Sequence, residues 1–205
     1  MKDFRDKTAI VTGAASGIGR GIARRFARAG MNLVLADIEA AALESARAEI
    51  AALGAKAIAV VTDVADRAEV QRLAAAAERR FGALHIAVNN AGVSMHGEPV
   101  AAIEPANWDW ILGVNVMGVV HGIQAFLPLL HRHGGEAHIV NTASIGGFQV
   151  NPDWHTSAYS MTKYAVVALS EALENELKGT PIGISVLAPA AVDTAIYRSA
   201  RNRPT

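Results

Sequence analysis

Residues 8–19 read TAIVTGAASGIG, and this stretch predicts a strand, a tight turn and the start of a helix. Thr8 to Thr12 form an apolar, β-branched run typical of a buried strand, and a helical pattern begins at Ile18. Three glycines stand at the turn, Gly13, Gly17 and Gly19. Glycine tolerates positive φ and close approach of a ligand, while the free N–H groups of a helix start attract anions. The stretch therefore predicts a pyrophosphate site, with an ordinary glycine-rich turn as the alternative.

The composition limits the class of protein. The 205 residues are 51% apolar, enough for one substantial core, so we expect a single domain over residues 1–205. Lys plus Arg equals Asp plus Glu at 19 each, so no basic field favours nucleic acid or an anionic membrane, and we expect neither partner. The absence of cysteine fits a reducing compartment and excludes Cys-ligated zinc.

The apolar stretches do not predict export or a membrane span. The charged start of the chain lacks the apolar region of a secretory signal, so we expect a cytoplasmic protein. Polar residues and a proline interrupt residues 114–130, which argues against a membrane helix. The histidines near residues 131–138 have no carboxylate pattern around them, so we predict no metal site.

Strand-like and helix-like patterns alternate along the chain. The predicted strands are residues 8–12, 32–36, 56–61, 85–89, 137–142 and 183–188. The predicted helices are residues 18–29, 39–53, 66–81, 105–130 with a break near Gly113, and 157–178. Apolar strands separated by helices predict a parallel sheet covered on both faces. We expect an α/β, doubly wound, Rossmann-like fold with strand order 3-2-1-4-5-6.

Polar residues follow the predicted strands, where ligands bind in such a sheet. Asp37 comes about 20 residues after the glycines, where a carboxylate accepts hydrogen bonds from a ribose and repels a 2′-phosphate. No Arg or Lys follows it, so charge favours NAD over NADP, although a helix-capping role is the alternative. Asp63 is a candidate for the adenine amino group or for a cap. Residues 89–92, Asn-Asn-Ala-Gly, allow close approach of a cofactor or form a turn.

Ser144, Tyr159 and Lys163 are the candidates for chemistry. Tyr159 and Lys163 are four residues apart and share one helix face. A phenol that exchanges protons at neutral pH needs its pKa lowered by about 3 units, or roughly 4 kcal/mol. An ammonium about 4 Å away supplies that at an effective dielectric constant near 20. This predicts proton exchange by Tyr159, hydride exchange by a nicotinamide and a hydrogen bond from Ser144, although the Tyr–Lys spacing alone is commonly structural.

Together these residues resemble the motif set of the classical short-chain dehydrogenase/reductase superfamily, from residue 7 to about residue 194. The motifs are, in order, Thr12-Gly13-x3-Gly17-x-Gly19, Asn89-Asn90-Ala91-Gly92, Asn115, Ser144 and Tyr159-x3-Lys163. The resemblance implies an NAD-dependent oxidoreductase that interconverts a secondary alcohol and a ketone. It also implies a small-molecule substrate and a homodimer or homotetramer.

The resemblance implies residue roles as well. The catalytic residues it implies are Asn115, Ser144, Tyr159 and Lys163, with Asn115 helping to hold a water and the lysine in a proton relay. The cofactor-binding residues it implies are Gly13, Ser16, Gly17, Ile18, Gly19, Asp37, Asp63, Val64, Asn90, Ala91, Gly92, Tyr159, Lys163, Pro189, Val192 and Thr194.

Three features depart from the family pattern. Ala190 stands where the family has glycine, and it would crowd a nicotinamide if that backbone needed positive φ. The segment before Tyr159, with Pro152, Asp153, Trp154 and His155, is a little long, so we expect a substrate-pocket border or a surface loop. The chain ends at Thr205, where similar proteins continue, so we expect a shortened form without the family's last strand. A catalytically impaired nucleotide-binding protein and, on a similar sheet, a methyltransferase are the alternative functions.

Overall fold

The computed structural model describes residues 1–151 and 153–203. Six parallel strands form one sheet in the order β3-β2-β1-β4-β5-β6, which confirms the predicted doubly wound, Rossmann-like fold. The strands are β1 (Thr8–Thr12), β2 (Asn32–Asp37), β3 (Ala57–Val61), β4 (Ile86–Asn89), β5 (Ala137–Thr142) and β6 (Ile182–Leu187). Pro152 and Thr205, both named above, lie outside the described residues.

Helices cover both faces of the sheet. They are α1 (Gly17–Arg28), α2 (Ala40–Ala52), α3 (Arg67–Phe81), α4 (Pro105–Leu112), α5 (Gly118–His133) and α6 (Ser157–Glu176). Alternate residues of β1 enter opposite cores: Ile10 packs with α3, α5 and α6, whereas Ala9 and Val11 pack with α1 and α2. Because β1 is buried on both faces, its central residues, 9–11, are continuously apolar rather than alternating.

The structure refines the predicted element bounds. The long helix is divided by a π-helical turn, Gly113–Met117, at the predicted break. His85 lies just before β4 rather than in it, and its Nδ1 accepts a hydrogen bond of 3.0 Å from the backbone N–H of Thr8. A 3₁₀ helix at Ala195–Asn202 was not predicted. We call it the C-terminal 3₁₀ helix.

The helical stretch Pro105–His133 passes a membrane-span test on length and composition, because it contains an 18-residue window with a mean hydropathy of 1.5. A core helix of a soluble protein passes the same test. Phe126 and Leu130 of this stretch are fully buried in the core on one face of the sheet. Length and composition are therefore weak evidence for a membrane span here.

Candidate active site

A cleft of about 960 Å³ lies at the carboxyl ends of the strands. The predicted site residues that line it are Gly13, Ser16, Gly17, Ile18, Asp37, Asp63, Val64, Asn90, Ala91, Gly92, Ser144, Tyr159, Lys163, Pro189, Val192 and Thr194. Gly19 and Asn115 do not line the cleft, and both are buried. The fold thus brings residues from all along the chain to one concave surface.

The glycine turn between β1 and α1 depends on the absence of side chains. Gly13 has φ of 66° and Gly17 has φ of 51°, which L side chains rarely adopt. A Cβ on Gly19 would lie 2.2 Å from the carbonyl oxygen of Gly13, so this glycine permits close packing of the helix start. Ser16 caps α1 with extended backbone and makes no side-chain cap bond. The start of α1 therefore faces the cleft with little covering side chain.

Thr12 and Asn90 join the tips of β1 and β4. The Thr12 hydroxyl accepts hydrogen bonds from the backbone N–H groups of Asn90, at 2.9 Å, and Ala91, at 3.0 Å. In return, Nδ2 of Asn90 donates to the Thr12 carbonyl oxygen at 2.9 Å. These bonds set the distance between the glycine turn and the segment after β4. The sequence predicted Thr12 only as the last residue of a strand and the first residue of the glycine motif, and it did not indicate this role.

Asp37 lines the cleft at the end of β2 and is not the N-cap of the next helix. Its Oδ2 accepts from the backbone N–H of Ala15 at 3.0 Å, and its Oδ1 accepts from that of Glu39 at 3.1 Å. The N-cap of α2 is Glu39, so the capping alternative for Asp37 is wrong. Burial raises the pKa of the Asp37 carboxyl, and the amide hydrogen bonds oppose that shift.

The Asp63 side chain stabilises the turn in which it lies, beside the cleft. Its Oδ1 accepts from the backbone N–H of Ala65 at 2.9 Å. The cap of α3 is Asp66, whose carboxylate accepts from the N–H groups of Ala68 and Glu69. Asp63 is therefore not the helix cap, and it reaches the cleft together with Val64.

Tyr159 and Lys163 extend from the first turns of α6 toward the cleft. Lys163 is only 3% exposed, and its Nζ donates to the carbonyl oxygen of Thr142, at the end of β5, over 3.0 Å. The same Nζ lies 5.7 Å from the centre of the Tyr159 ring. Burial lowers the pKa of Lys163 to about 8, because the ammonium loses hydration.

The pKa of Tyr159 departs from the expectation. We expected a lowered value, but burial raises the pKa of the phenol, and a hydrogen bond with Ser144 opposes this only in part. Loss of hydration disfavours the phenolate, and the Lys163 ammonium, whose Nζ lies 5.7 Å from the ring centre, is itself desolvated. Ser144 is further held by the backbone N–H of Gly146, which donates to its Oγ at 3.1 Å.

Asn115 lies beneath the site in the π-helical turn and is fully buried. Its Oδ1 accepts from the backbone N–H of Val93 at 2.8 Å, and its Nδ2 donates to the Val93 carbonyl oxygen at 2.9 Å. Nδ2 also donates to Oγ1 of Thr162 at 3.0 Å. The side chain therefore ties α6 to the segment after β4. A Cβ on Gly92 would lie 3.4 Å from both Oδ1 of Asn115 and Nζ of Lys163, so the two groups are near neighbours.

The structure also shows the consequences of two departures from the family pattern, Ala190 and the long segment before Tyr159. Among the described residues, Asp6 is the only non-glycine with positive φ, so the condition for crowding by Ala190 is not met. Asn151 and Trp154 line the cleft, so the segment before Tyr159 does border it. The C-terminal 3₁₀ helix lines the cleft as well. The one residue in the sequence that indicates this helix is its N-cap, Thr194, whose hydroxyl accepts a hydrogen bond from the backbone N–H of Ile196.

Comparison with known proteins agrees with this geometry. A family model described as short chain dehydrogenase matches residues 7–205. The chain belongs to the short-chain dehydrogenase family. This confirms the resemblance drawn from the motifs, makes the chain a member of an oxidoreductase family and removes the methyltransferase alternative.

Two curated relatives are similar over nearly the whole chain. The Cα-dehydrogenase of Sphingobium sp. strain SYK-6 is 40% identical over 205 residues, which are 100% of this chain and 66% of the relative. The 1-deoxy-11-beta-hydroxypentalenate dehydrogenase of Streptomyces avermitilis is 41% identical over 95% of this chain and 72% of its own length. The chain thus spans about two thirds of the length of these relatives.

Solved structures of the family include nicotinamide complexes. A short chain dehydrogenase/reductase from Burkholderia phymatum in complex with NAD has a TM-score of 0.96 and 44% identity, covering 100% of this chain and 72% of that one. The 3-ketoacyl-(acyl-carrier-protein) reductase from Brucella melitensis complexed with NADH has a TM-score of 0.90 and 35% identity, covering 96% and 80%. The fold and the family are therefore those of nicotinamide-dependent oxidoreductases.

Proposed function

We propose that the chain transfers hydride between NAD(H) and a secondary alcohol or ketone, with Tyr159 as general acid and base. The observation that carries this proposal is a shared cleft, lined by the catalytic candidates and the glycine turn, namely Ser144, Tyr159, Lys163, Gly13 and Gly17. The bound nicotinamide supplies the hydride chemistry. The protein holds the reactants and moves the proton at the substrate oxygen.

The described residues fit a dinucleotide. A Cβ on Gly13 would lie 2.9 Å from the Cα of Ala91, and one on Gly17 would lie 3.0 Å from Thr194, so a side chain at either position would crowd its neighbours. The backbone N–H groups at the start of α1, which the Ser16 side chain does not cap, suit a pyrophosphate. The partly buried carboxylate of Asp37 suits the hydroxyls of an adenosine ribose and disfavours a 2′-phosphate, which supports NAD over NADP.

The proton step follows from the contacts of Tyr159. During reduction the phenol donates its proton to the ketone oxygen, and during oxidation the phenolate takes it back. The Ser144 hydroxyl hydrogen-bonds the same oxygen and orients it. Burial raises the pKa of the phenol, and the hydrogen bond with Ser144 lowers it in part. The ammonium of Lys163, whose Nζ lies 5.7 Å from the ring centre, is the positive charge that would favour the phenolate further. The relay role of Asn115 stays a prediction.

The remaining wall of the cleft supports an uncharged, largely apolar substrate. Apolar and aromatic side chains line it: Val93, Met95, Trp110, Ile145, Trp154 and Tyr197. Among the described residues, Lys163 and Arg201 are the only lysine or arginine side chains on the cleft wall. Since Lys163 is only 3% exposed and Arg201 is paired with Glu39, neither is readily available to an anionic substrate.

We infer that residues 1–205 act as one dinucleotide-binding and catalytic domain, because a single sheet carries both the glycine turn and the catalytic helix. A homodimer or homotetramer and a cytoplasmic location stay predictions.

Turnover with a panel of apolar secondary alcohols and ketones tests the proposal. We expect Tyr159→Phe to lower kcat/KM by about 100-fold or more, because the ring remains and the exchangeable proton is lost. NADH affinity, measured by fluorescence titration, should stay near that of the wild type. Tyr164→Phe, at an exposed position of the same helix, is the matched control and should keep wild-type activity.

Two outcomes would contradict the proposal. If the wild type binds NADH but turns over no member of the panel, the nucleotide-binding alternative replaces it. If Tyr159→Phe is as active as Tyr164→Phe, Tyr159 is not the acid and base.

A further inference from the structure

The C-terminal 3₁₀ helix (Ala195–Asn202) bridges the two walls of the cleft. On the wall after β4, the backbone N–H of Ser94 donates to Oγ of Ser199 at 3.2 Å, and the Ser94 hydroxyl donates to the carbonyl oxygen of Ile196 at 2.9 Å. The far end of the helix reaches the wall after β2. It therefore crosses the opening in which a dinucleotide would lie.

The contact after β2 is made by Glu39. Its Oε1 accepts from Nε of Arg201 at 2.6 Å and from Nδ2 of Asn202 at 3.0 Å, and a second guanidinium nitrogen lies 2.5 Å away. Several donors thus converge on one carboxylate oxygen. The side chains of Arg201 and Glu39 are 41% and 31% exposed, so the pair remains within reach of a ligand in the cleft.

This pair lies at the end of the cleft where an adenosine ribose would bind. Glu39 is two residues after Asp37, and Arg201 lines the cleft with both of them. Asp37, Glu39 and Asp63 are the acidic groups on this wall. Among the described lining residues, Arg201 is the only lysine or arginine besides Lys163, which is buried beside Tyr159. A phosphate at the 2′ position would therefore meet an arginine that a carboxylate already occupies.

We propose that Glu39 is a specificity-determining residue that selects NAD over NADP by occupying Arg201. Arginine binds phosphate through paired N–H donors, so a released guanidinium beside the ribose would favour a 2′-phosphate. While Glu39 holds Arg201, this wall of the cleft keeps three carboxylates, those of Asp37, Glu39 and Asp63, against one cation. This inference rests on the proposed nicotinamide-dependent function. It adds to Asp37 a second discriminator, Glu39, whose arginine partner lies 162 residues away along the chain.

Fluorescence titration with NADPH and NADH tests the inference through binding alone. We expect Glu39→Gln to raise the affinity for NADPH by roughly tenfold, while the affinity for NADH changes by less than about threefold. Glu44→Gln is the matched control, since Glu44 is an exposed carboxylate of α2 that also pairs with an arginine, Arg47. It removes the same charge outside the cleft and should leave the NADPH-to-NADH ratio unchanged.

A double variant tests whether Arg201 is the group that Glu39→Gln releases. Adding Arg201→Gln to Glu39→Gln should abolish the gain in NADPH affinity, with circular dichroism confirming that each variant is folded. The inference is overturned if Glu39→Gln gives no gain, if Glu44→Gln gives the same gain, or if the gain survives Arg201→Gln. Failure of the wild type to bind either dinucleotide would instead overturn the proposed function, and this inference with it. NADH binding by the wild type separates the two cases.

Discussion

The two halves of the cleft are built in different ways. The half that follows β1 to β3 is shaped by backbone: glycines with positive φ form its turn, and Asp37 is bonded to backbone amides. The half that follows β4 to β6 is shaped by buried side chains. Asn115 and Lys163 both use their polar atoms to hold distant segments together.

The half that follows β4 to β6, which we call the proposed catalytic half, also contains a chain of buried, hydrogen-bonded polar side chains. Nδ2 of Asn89 donates to Oδ1 of Asn141 at 2.8 Å, and Nδ2 of Asn141 donates to Oγ of Ser170 at 3.0 Å. This chain joins β4, β5 and α6 directly below the strand tips that carry the catalytic candidates. The proposed cofactor half, which follows β1 to β3, therefore depends on space being left empty. The proposed catalytic half depends on buried polar groups finding partners.

The largest expected effect tests the dependence of the cofactor half on empty space. Gly19→Ala would place a Cβ 2.2 Å from the Gly13 carbonyl oxygen, a backbone atom that has no side-chain freedom to move away. We expect the free energy of unfolding to fall by about 3 to 4 kcal/mol, together with loss of NADH binding. Urea denaturation and NADH titration measure both effects.

Gly21→Ala is the control on the same helix, because no atom lies within 4 Å of the position that its Cβ would take. Alanine there should be neutral or stabilising by up to about 1 kcal/mol, since it favours the helix. Equal effects at the two glycines would show that the turn does not depend on close packing.

The next effect concerns the polar contacts of the catalytic half. Asn115→Ala leaves the buried N–H and C=O groups of Val93 without their partner, so we expect a loss of about 2 to 3 kcal/mol in unfolding free energy. Asn175→Ala, at an exposed position where Nδ2 donates to the Glu171 carbonyl, should cost less than about 0.5 kcal/mol. Urea denaturation compares the two variants, and similar losses would refute the distinction between the halves.

The smallest effect is a pH dependence that belongs to the catalytic half. Burial lowers the pKa of Lys163 from its ordinary 10.5 to about 8. Between these values the unfolded chain binds the proton that the folded protein has released, so the free energy of unfolding rises with pH. From pH 8 to 9.5 we expect Lys163 to contribute a rise of roughly 1 to 2 kcal/mol.

Urea denaturation at pH 8, 9 and 9.5 measures this rise. It should disappear in Lys163→Met and remain in Lys178→Met, a substitution at an exposed position beyond α6. If Lys163→Met keeps the wild-type slope, the buried ammonium is not its source.

Much of the architecture was predictable because its signals are local. The glycine turn, the apolar runs of all six strands and the four-residue spacing of Tyr159 and Lys163 are each visible within a short stretch. The break at Gly113 was also predicted, although not as a π-helical turn. The direction of the Tyr159 pKa shift was predicted wrongly, because spacing on a helix does not reveal how deeply the phenol is buried.

Only the tertiary structure reveals which distant groups meet. The contact of Arg201 with Glu39 joins positions 162 residues apart, and no local pattern around either residue predicts it. The bond from Asn115 to Thr162 spans 47 residues in the same way.

The sequence by itself determined the strand and helix pattern, the family and the candidate chemical groups, because periodicity, glycine placement and motif order are properties of the chain. The tertiary structure decided the burial of Tyr159 and Lys163, the partner of each polar atom and the route of the C-terminal 3₁₀ helix across the cleft. These depend on dielectric surroundings and on distances between remote residues, and packing alone sets both.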